Sequence, residues 1–435
     1  MADDFGVPVN LSVGPAPELV MVGFRIDNLS HLAQAYGEAV REGARALLAA
    51  LLGEVLGGDG VVMPVCDDLI TAVVWSPTAF GQAFTNAACA DFARRFAVAV
   101  AGRPLLHANA DLRLAVSAAW SLLPDVHSDA DLGAARDDLA CRLTTQRFNG
   151  NPIDTQADWA QRYRADMAQA ASLLSALANG RLLPVWQPVR NGAQGDAVLY
   201  HECLLRMLED GRQETAGPAI DALERLGMVG VLDHYVVSTV IEELQRDPDV
   251  CLGANISAHS ACPGGWWDEL MPRLRDMPSV ARRLVIEITE TAHYPDIGEA
   301  TCFAARLRKL GVRVALDDFG VGHASLRSLL ALQPDIIKID AFFLRRAIGS
   351  EPDRVALHHL IGLAGSFVAD VVVEGVETEE EFDLAREAGA IWLQGYHMGR
   401  PSVVRPWFKD AVQTNVLALF EKRQAYREAG WSVPG

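Results

Sequence analysis

Positive charge is scarce in this chain. It carries 38 Lys and Arg against 56 Asp and Glu, a formal net charge of −18. So acidic a surface argues against a nucleic-acid polymer as the main partner, because such partners require clustered cations. A small phosphorylated ligand held through metal ions stays compatible with it. The seven cysteines (Cys66, Cys89, Cys141, Cys203, Cys251, Cys262, Cys302) are scattered and form no CxxC pair. Reduced thiols and no structural zinc are expected. No apolar run is long enough to span a bilayer, and the opening MADDFGVPVN lacks the basic and apolar regions of a secretion signal. A soluble, cytoplasmic protein is expected. Disordered composition is missing too, with 50% hydrophobic and 22% charged residues. At 435 residues the chain should form two domains, one with room for a barrel.

What is there centres on Val312 to Asp340, VRVALDDFGVGHASLRSLLALQPDIIKID. An apolar run reads as a buried parallel strand and ends on two adjacent carboxylates, Asp317 and Asp318. A loop with Gly320 and Gly322 follows, then an amphipathic segment, then a second apolar run carrying Lys338. Two neighbouring acids at a strand's C-terminal end can bridge a pair of divalent metals. An isolated Asp-Asp more often caps the following helix, so the rest of the chain decides.

From Leu182 onward one pattern repeats: a short apolar run ending on a polar side chain, then a loop and a helix. The runs bring Gln187, Glu202 with Arg206, Asn255, Glu287 with Glu290, Asp317 with Asp318, Lys338, Glu374 with Glu377, and Gln394. Eight such strands separated by helical stretches predict a (β/α)8 TIM-like barrel with its reactive groups at the C-terminal mouth. Five acids (Glu202, Glu287, Asp317, Asp318, Glu374) inside apolar strands would carry a severe desolvation cost unpaired. Metal cations compensate it, and all-oxygen ligands favour Mg²⁺ or Mn²⁺ over zinc. The residues alone thus point to a two-metal hydrolase acting on a phosphate ester.

The segments Glu202-Cys203-Leu204-Leu205-Arg206, Asn255-Ile256-Ser257, Glu287-Ile288-Thr289-Glu290, Asp317-Asp318-Phe319-Gly320, Lys338-Ile339-Asp340, Glu374-Gly375-Val376-Glu377 and Gln394-Gly395-Tyr396 also resemble, in order and spacing, the motif set of EAL-type cyclic di-GMP phosphodiesterases. The resemblance covers about Leu182 to Pro401. It implies that Glu202, Asn255, Glu287 and Asp317 hold one metal, and that Asp317, Asp318 and Glu374 hold the other, with Asp317 bridging. It further implies that Lys338 orients the attacking water and offsets phosphate charge. Gln187, Arg206 and Gln394 would contact the substrate, and Glu290 and Glu377 would steady strand and loop ends. The product would be linear pGpG, and a homodimer through the barrel and protein signalling partners are expected. Three departures bear on activity. Cys203 replaces the alanine of the EAL triplet and should be neutral. Val321 and His323 alter the loop after the acid pair, where a β-branched residue stiffens the backbone. Ala219-Ile220-Asp221 stands where the family has a Phe-Ile-Pro wall, which should weaken guanine stacking by about 1–3 kcal/mol. A weak or inactive cyclic di-GMP receptor is the alternative, and a scaffold that has lost the nucleotide is the third reading.

The first half, residues 1–153, reads as an α/β sandwich. Strands are predicted at Leu19–Ile26, Val61–Val65, Leu69–Trp75 and Leu112–Ala119, with helices over Leu29–Leu56 and Ala83–Val100. Its order and spacing are similar to a GGDEF (diguanylate cyclase) domain, but a degenerate one. The family's first metal-binding Asp falls on Arg25, its nucleotide contacts fall on Ala33 and Gln34, and its signature hairpin falls on Val65-Cys66-Asp67-Asp68-Leu69. A regulatory or dimerisation role is implied instead of cyclase activity. Residues 154–181 read as a connecting helix, 182–410 as the barrel, and 411–435 as a C-terminal helix and tail.

Overall fold

The computed structural model describes residues 19–407 apart from 67, 81–82, 124–127, 146–147, 155–157, 194–196, 210–211, 290–293 and 322–325. It divides into two compact units, with the boundary at Ser175 and Ala176. Among the described residues no helix is long and apolar enough to cross a membrane. The expected C-terminal helix, 411–435, lies outside the described residues.

In the first unit the apolar octet Leu19–Ile26 (β1) is the inner strand of a four-stranded sheet. Gly60–Pro64 (β2) and Leu69–Val74 (β3) continue it on one side, Leu105–His107 (β4) and Ala110–Leu112 (β5) form a separate hairpin, and Val116–Leu123 (β6) closes the other side. The sheet runs β2-β3-β1-β6 and every pair is antiparallel. The helices are Leu29–Tyr36 (α1), Val40–Leu56 (α2), Asn86–Gly102 (α3), Asp129–Thr145 (α4) and Trp159–Ala178 (α5). Two expectations need correction. The single helix predicted over Leu29–Leu56 is two, because Gly37 takes φ +97°, which a right-handed helix cannot continue. The strand predicted at Leu112–Ala119 begins at Val116: Leu112 ends the hairpin, whose tip, Ala108 and Asn109, adopts positive φ, and residues 113–115 link the two. The helix read as a connector packs within this unit as far as Ser175, with Trp159 and Tyr163 buried beside the His31 ring, and its last residues, from Ala176, belong to the second unit.

The second unit is the barrel. Its strands are Leu182–Asn191 (β7), Val198–Glu209 (β8), Arg212–Thr215 (β9), Leu252–Ser257 (β10), Leu284–Thr289 (β11), Arg313–Phe319 (β12), Ile336–Ile339 (β13), Asp370–Val373 (β14) and Trp392–Leu393 (β15). β10 to β15 run in order, β7 and β8 follow, and a β8–β10 pairing closes the ring of eight, with β9 appended outside it. Gly217–Arg225 (α6), Gly230–Arg246 (α7), Trp267–Asp276 (α8), Pro278–Ala281 (α9), Ile297–Leu310 (α10), Leu326–Leu332 (α11), Ala341–Ala347 (α12), Glu351–Gly365 (α13) and Glu379–Glu387 (α14) fill the crossovers. The expected alternation fails once. β7 is antiparallel to both its neighbours, because the link from Asn191 to Val198 is too short for a helical crossover, which needs about a dozen residues. β14 and β15 are also shorter than expected, so Glu374 and Gln394 lie just past their strands.

Side chains alternate along each strand. The positions two residues before the polar strand ends therefore form the layer beneath them. Tyr200, Val285, Ala315, Ile336 and Val372 pack there with Val189 as one buried cluster.

Candidate metal centre

Above that layer the barrel gathers acids. Glu202 on β8, Glu287 on β11 and Asp317 on β12 each offer a carboxylate oxygen, and these lie within 4.8 Å of one another. Asp317, Asp318 and Glu374 form a second such group, so Asp317 is common to both. Consecutive strand residues normally face opposite sides. Asp317 and Asp318 escape that rule because the β12–β13 register breaks between Leu316 and Phe319, and Asp318 takes φ +56°. The bulge turns both acids into one cluster.

Lys338, 1% exposed, sits among them. Its Nζ lies 2.7 Å from Glu374 Oε1, 2.8 Å from Glu287 Oε2, 3.1 Å from Asp317 Oδ1 and 3.3 Å from Glu202 Oε2. Asn255 Nδ2 donates to Glu202 Oε1 at 2.6 Å, and Gln394 Nε2 donates to Glu202 Oε2. Burial works against the ammonium charge, but the surrounding carboxylates outweigh it and hold Lys338 well above the ordinary lysine value. Glu202 is the one acid of the set held below its usual value: burial raises it, while Lys338, Asn255 and Gln394 together lower it further. One ammonium cannot satisfy the others. Burial, then the Glu202 charge, pushes Glu287 up to about 8. Burial, then Asp317, pushes Asp318 up to about 7 and Glu374 well above its range. Asp317 is raised as well, chiefly by burial.

A divalent cation fits this site by its donors. Asn255 Oδ1 and Glu287 Oε1 are buried with no hydrogen-bond partner among the described residues, and native structures rarely leave such atoms unserved. The donors are all oxygen, which suits hard cations.

The other anticipated residues are placed as follows. Gln187 is buried on β7 opposite Glu202, and its Nε2 donates to Gly399 O at 3.1 Å. Arg206 stands four residues beyond Glu202 on the same face and donates to Leu205 O. Gln394, anticipated as a substrate contact, donates to Glu202 Oε2. Glu377, anticipated to steady a strand or loop end, is exposed and ion-paired with Arg345 at 3.6 Å. Its backbone N–H donates to Glu381 Oε2 in the first turn of α14 at 2.7 Å. Ala219 is buried in α6 and Asp221 exposed. Val321 is exposed, with its N–H donating to Asp318 O. Glu290 and His323 lie outside the described residues.

Two residues of the site escaped the sequence reading. Tyr200, fully buried, donates its hydroxyl to Glu287 Oε2 at 3.1 Å. Gly253 leaves room for both: a Cβ there would lie 2.7 Å from Tyr200 Cε2 and closer still to Glu287 Oε1. The available signal was their position two residues before Glu202 and Asn255.

The family described as EAL domain matches residues 170–401. The chain is 26% identical over 391 residues to an uncharacterised protein of Mycobacterium tuberculosis (strain ATCC 25618 / H37Rv), covering 86% of this chain and 60% of that protein. It is 29% identical over 244 residues to the probable cyclic di-GMP phosphodiesterase PdeA of Escherichia coli (strain K12), covering 53% of this chain and 32% of that protein. It therefore spans less than two thirds of either relative. Among solved structures, the apo S helix-GGDEF-EAL portion of Vibrio cholerae LapD superposes with a TM-score of 0.49 at 18% identity, over 88% of this chain and 89% of that one. With a matching segment that takes in more than half of its residues and carries the acid cluster, the chain belongs to the EAL domain family.

Proposed function

We propose that the chain hydrolyses cyclic di-GMP to linear pGpG in a reaction dependent on two divalent ions, Mg²⁺ or Mn²⁺. The observation that carries the reading is the pair of carboxylate groups sharing Asp317 at one mouth of the barrel. Glu202, Asn255, Glu287 and Asp317 would hold one ion, and Asp317, Asp318 and Glu374 the other. Bound there, paired ions supply Lewis acidity at phosphorus and a nucleophile at neutral pH. The chain's own groups do the rest. Gln394 and Asn255 fix the Glu202 rotamer. Lys338 supplies a permanent positive charge at the same locus, which offsets charge building on the phosphate. Arg206 and Gln187, on the same rim, position the dinucleotide. The water oxygen bonds to phosphorus as the P–O3′ bond breaks, and one of the water's protons ends on the departing O3′, which opens the ring as a free hydroxyl and a terminal phosphate.

A second reading is a receptor that binds the nucleotide and turns it over weakly or not at all. The exposed acid Asp221, in place of a stacking wall, favours it. In either case the first unit acts as a degenerate GGDEF-like module for regulation or dimerisation. Arg25 Nε and Nη2 both donate to Asp27 Oδ1 (2.9 and 2.8 Å), and the Ser117 hydroxyl donates to Asp27 Oδ2. An internal cation at that position supports the absence of a metal there. A homodimer through the barrel and protein partners complete the proposal. Incubation with cyclic di-GMP and Mn²⁺, followed by chromatography, separates the readings: linear product supports hydrolysis, and binding without product supports the receptor.

A further inference from the structure

Tyr200 enters the barrel one layer below the metal ligands, since it precedes Glu202 by two residues on β8. That layer is otherwise apolar: Val189, Val285, Ala315, Ile336 and Val372. A phenylalanine would fill the same volume, so packing alone does not call for the hydroxyl. A buried hydroxyl belongs in such surroundings only when its hydrogen-bond partner is there as well. Here the partner is a carboxylate. Tyr200 donates to Glu287 Oε2 at 3.1 Å, and Lys338 reaches the same oxygen at 2.8 Å. Both donors therefore hold Oε2, while Oε1, equally buried, has no partner among the described residues.

Gly253 completes the arrangement from the neighbouring strand. It pairs with Glu202 on one side and Val285 on the other. Any side chain there would run into the Tyr200 ring and Glu287 Oε1 together. The tyrosine and the glycine are thus fitted to each other around one carboxylate.

We infer that Tyr200 and Gly253 form a positioning pair that fixes Glu287 with Oε2 anchored and Oε1 presented to a divalent cation. The inference rests on the metal-centre reading and adds to it two residues outside the ligand set. Glutamate has three side-chain torsions, and a ligand already held in place loses less freedom when it binds. Removal of such an outer partner typically weakens metal affinity 10- to 100-fold.

The test is calorimetric titration of the full chain with Mn²⁺, without nucleotide. Tyr200→Phe should bind Mn²⁺ about tenfold more weakly than wild type, with a metal-free melting temperature close to wild type. Gly253→Ala, which keeps the phenol but crowds Glu287, should weaken binding in the same direction and decides the matter if Tyr200→Phe does not fold. Val285→Ala, in the same layer, serves as the packing control: it should lower the melting temperature and leave Mn²⁺ affinity unchanged. Affinity within twofold of wild type in every folded member of the positioning pair overturns the inference. A wild-type chain that takes up no Mn²⁺ overturns the metal reading and this inference together, and is recognised because the unmodified protein itself fails.

Discussion

The backbone N–H of Asp318 donates to Asp317 Oδ1 at 3.1 Å, so two consecutive residues of one strand serve one cluster. This depends on Asp318 at φ +56°, a left-handed conformation that Asp and Asn tolerate and that costs other L-residues about 1–2 kcal/mol. Asp318→Asn should keep the bulge and relieve like-charge repulsion. It should therefore raise the metal-free melting temperature while shrinking the stabilisation that Mn²⁺ gives. Asp318→Ala should lose both the backbone preference and the ligand. Thermal melts with and without Mn²⁺ check both variants, and a full metal response in Asp318→Asn would remove Asp318 from the ligand set.

Glu202 is the common acceptor of Lys338, Asn255 and Gln394. Glu202→Ala would leave the Asn255 and Gln394 amides without this acceptor, at about 1–3 kcal/mol for each unserved buried group, while Lys338 keeps Glu287, Asp317 and Glu374. A large fall in stability with complete loss of turnover is expected. Glu202→Gln should retain more of the stability and still lack turnover. Denaturant melts paired with product chromatography measure the two effects separately.

The metal-free protein should lose stability as pH rises through neutrality. Glu287 and Asp318 have folded-state pKa values raised to about 8 and about 7, from 4.5 and 3.8. For raised groups the contribution is fully present below the unfolded values and is lost as pH climbs through the folded ones. The decline should therefore fall between about pH 4 and pH 8. Glu287→Gln should flatten it, and Mn²⁺, which binds the ionised forms, should stabilise most at the alkaline end. Melting temperatures at pH 5, 6, 7 and 8 provide the check. A slope in Glu287→Gln equal to wild type would contradict the assignment.

Arg25→Asp should not create a cyclase. It would replace a part-buried ion pair with two adjacent carboxylates, which destabilises the first unit by about 3 kcal/mol. Incubation with GTP should yield no cyclic di-GMP, because Ala33 and Gln34 supply no nucleotide contact. Cyclic product would show the first unit to be closer to an active cyclase than proposed.

The strands that carry the acid cluster were legible because each is an apolar run ending on a polar residue. The antiparallel β7 was legible in principle, since the short link from Asn191 to Val198 already rules out a crossover. The roles of Tyr200 and Gly253 were not, because they follow from how neighbouring strands are staggered, and one strand's pattern does not carry that. The spacing of Glu377 from Glu374 looks like a continuing strand, but β14 ends at Val373 and both acids lie in the loop before α14. That Asp317 and Asp318 serve one cluster was legible from their adjacency at a strand end, but the left-handed backbone of Asp318 that achieves it was not.

The central claim is that paired divalent ions at this barrel mouth open cyclic di-GMP. The most direct measurement follows linear pGpG by chromatography when the full chain meets cyclic di-GMP in Mn²⁺, in excess chelator, and as Glu202→Gln in Mn²⁺. The account predicts product in the first case and none in the other two. Product undiminished by chelator, or wild-type rates from Glu202→Gln, would contradict it.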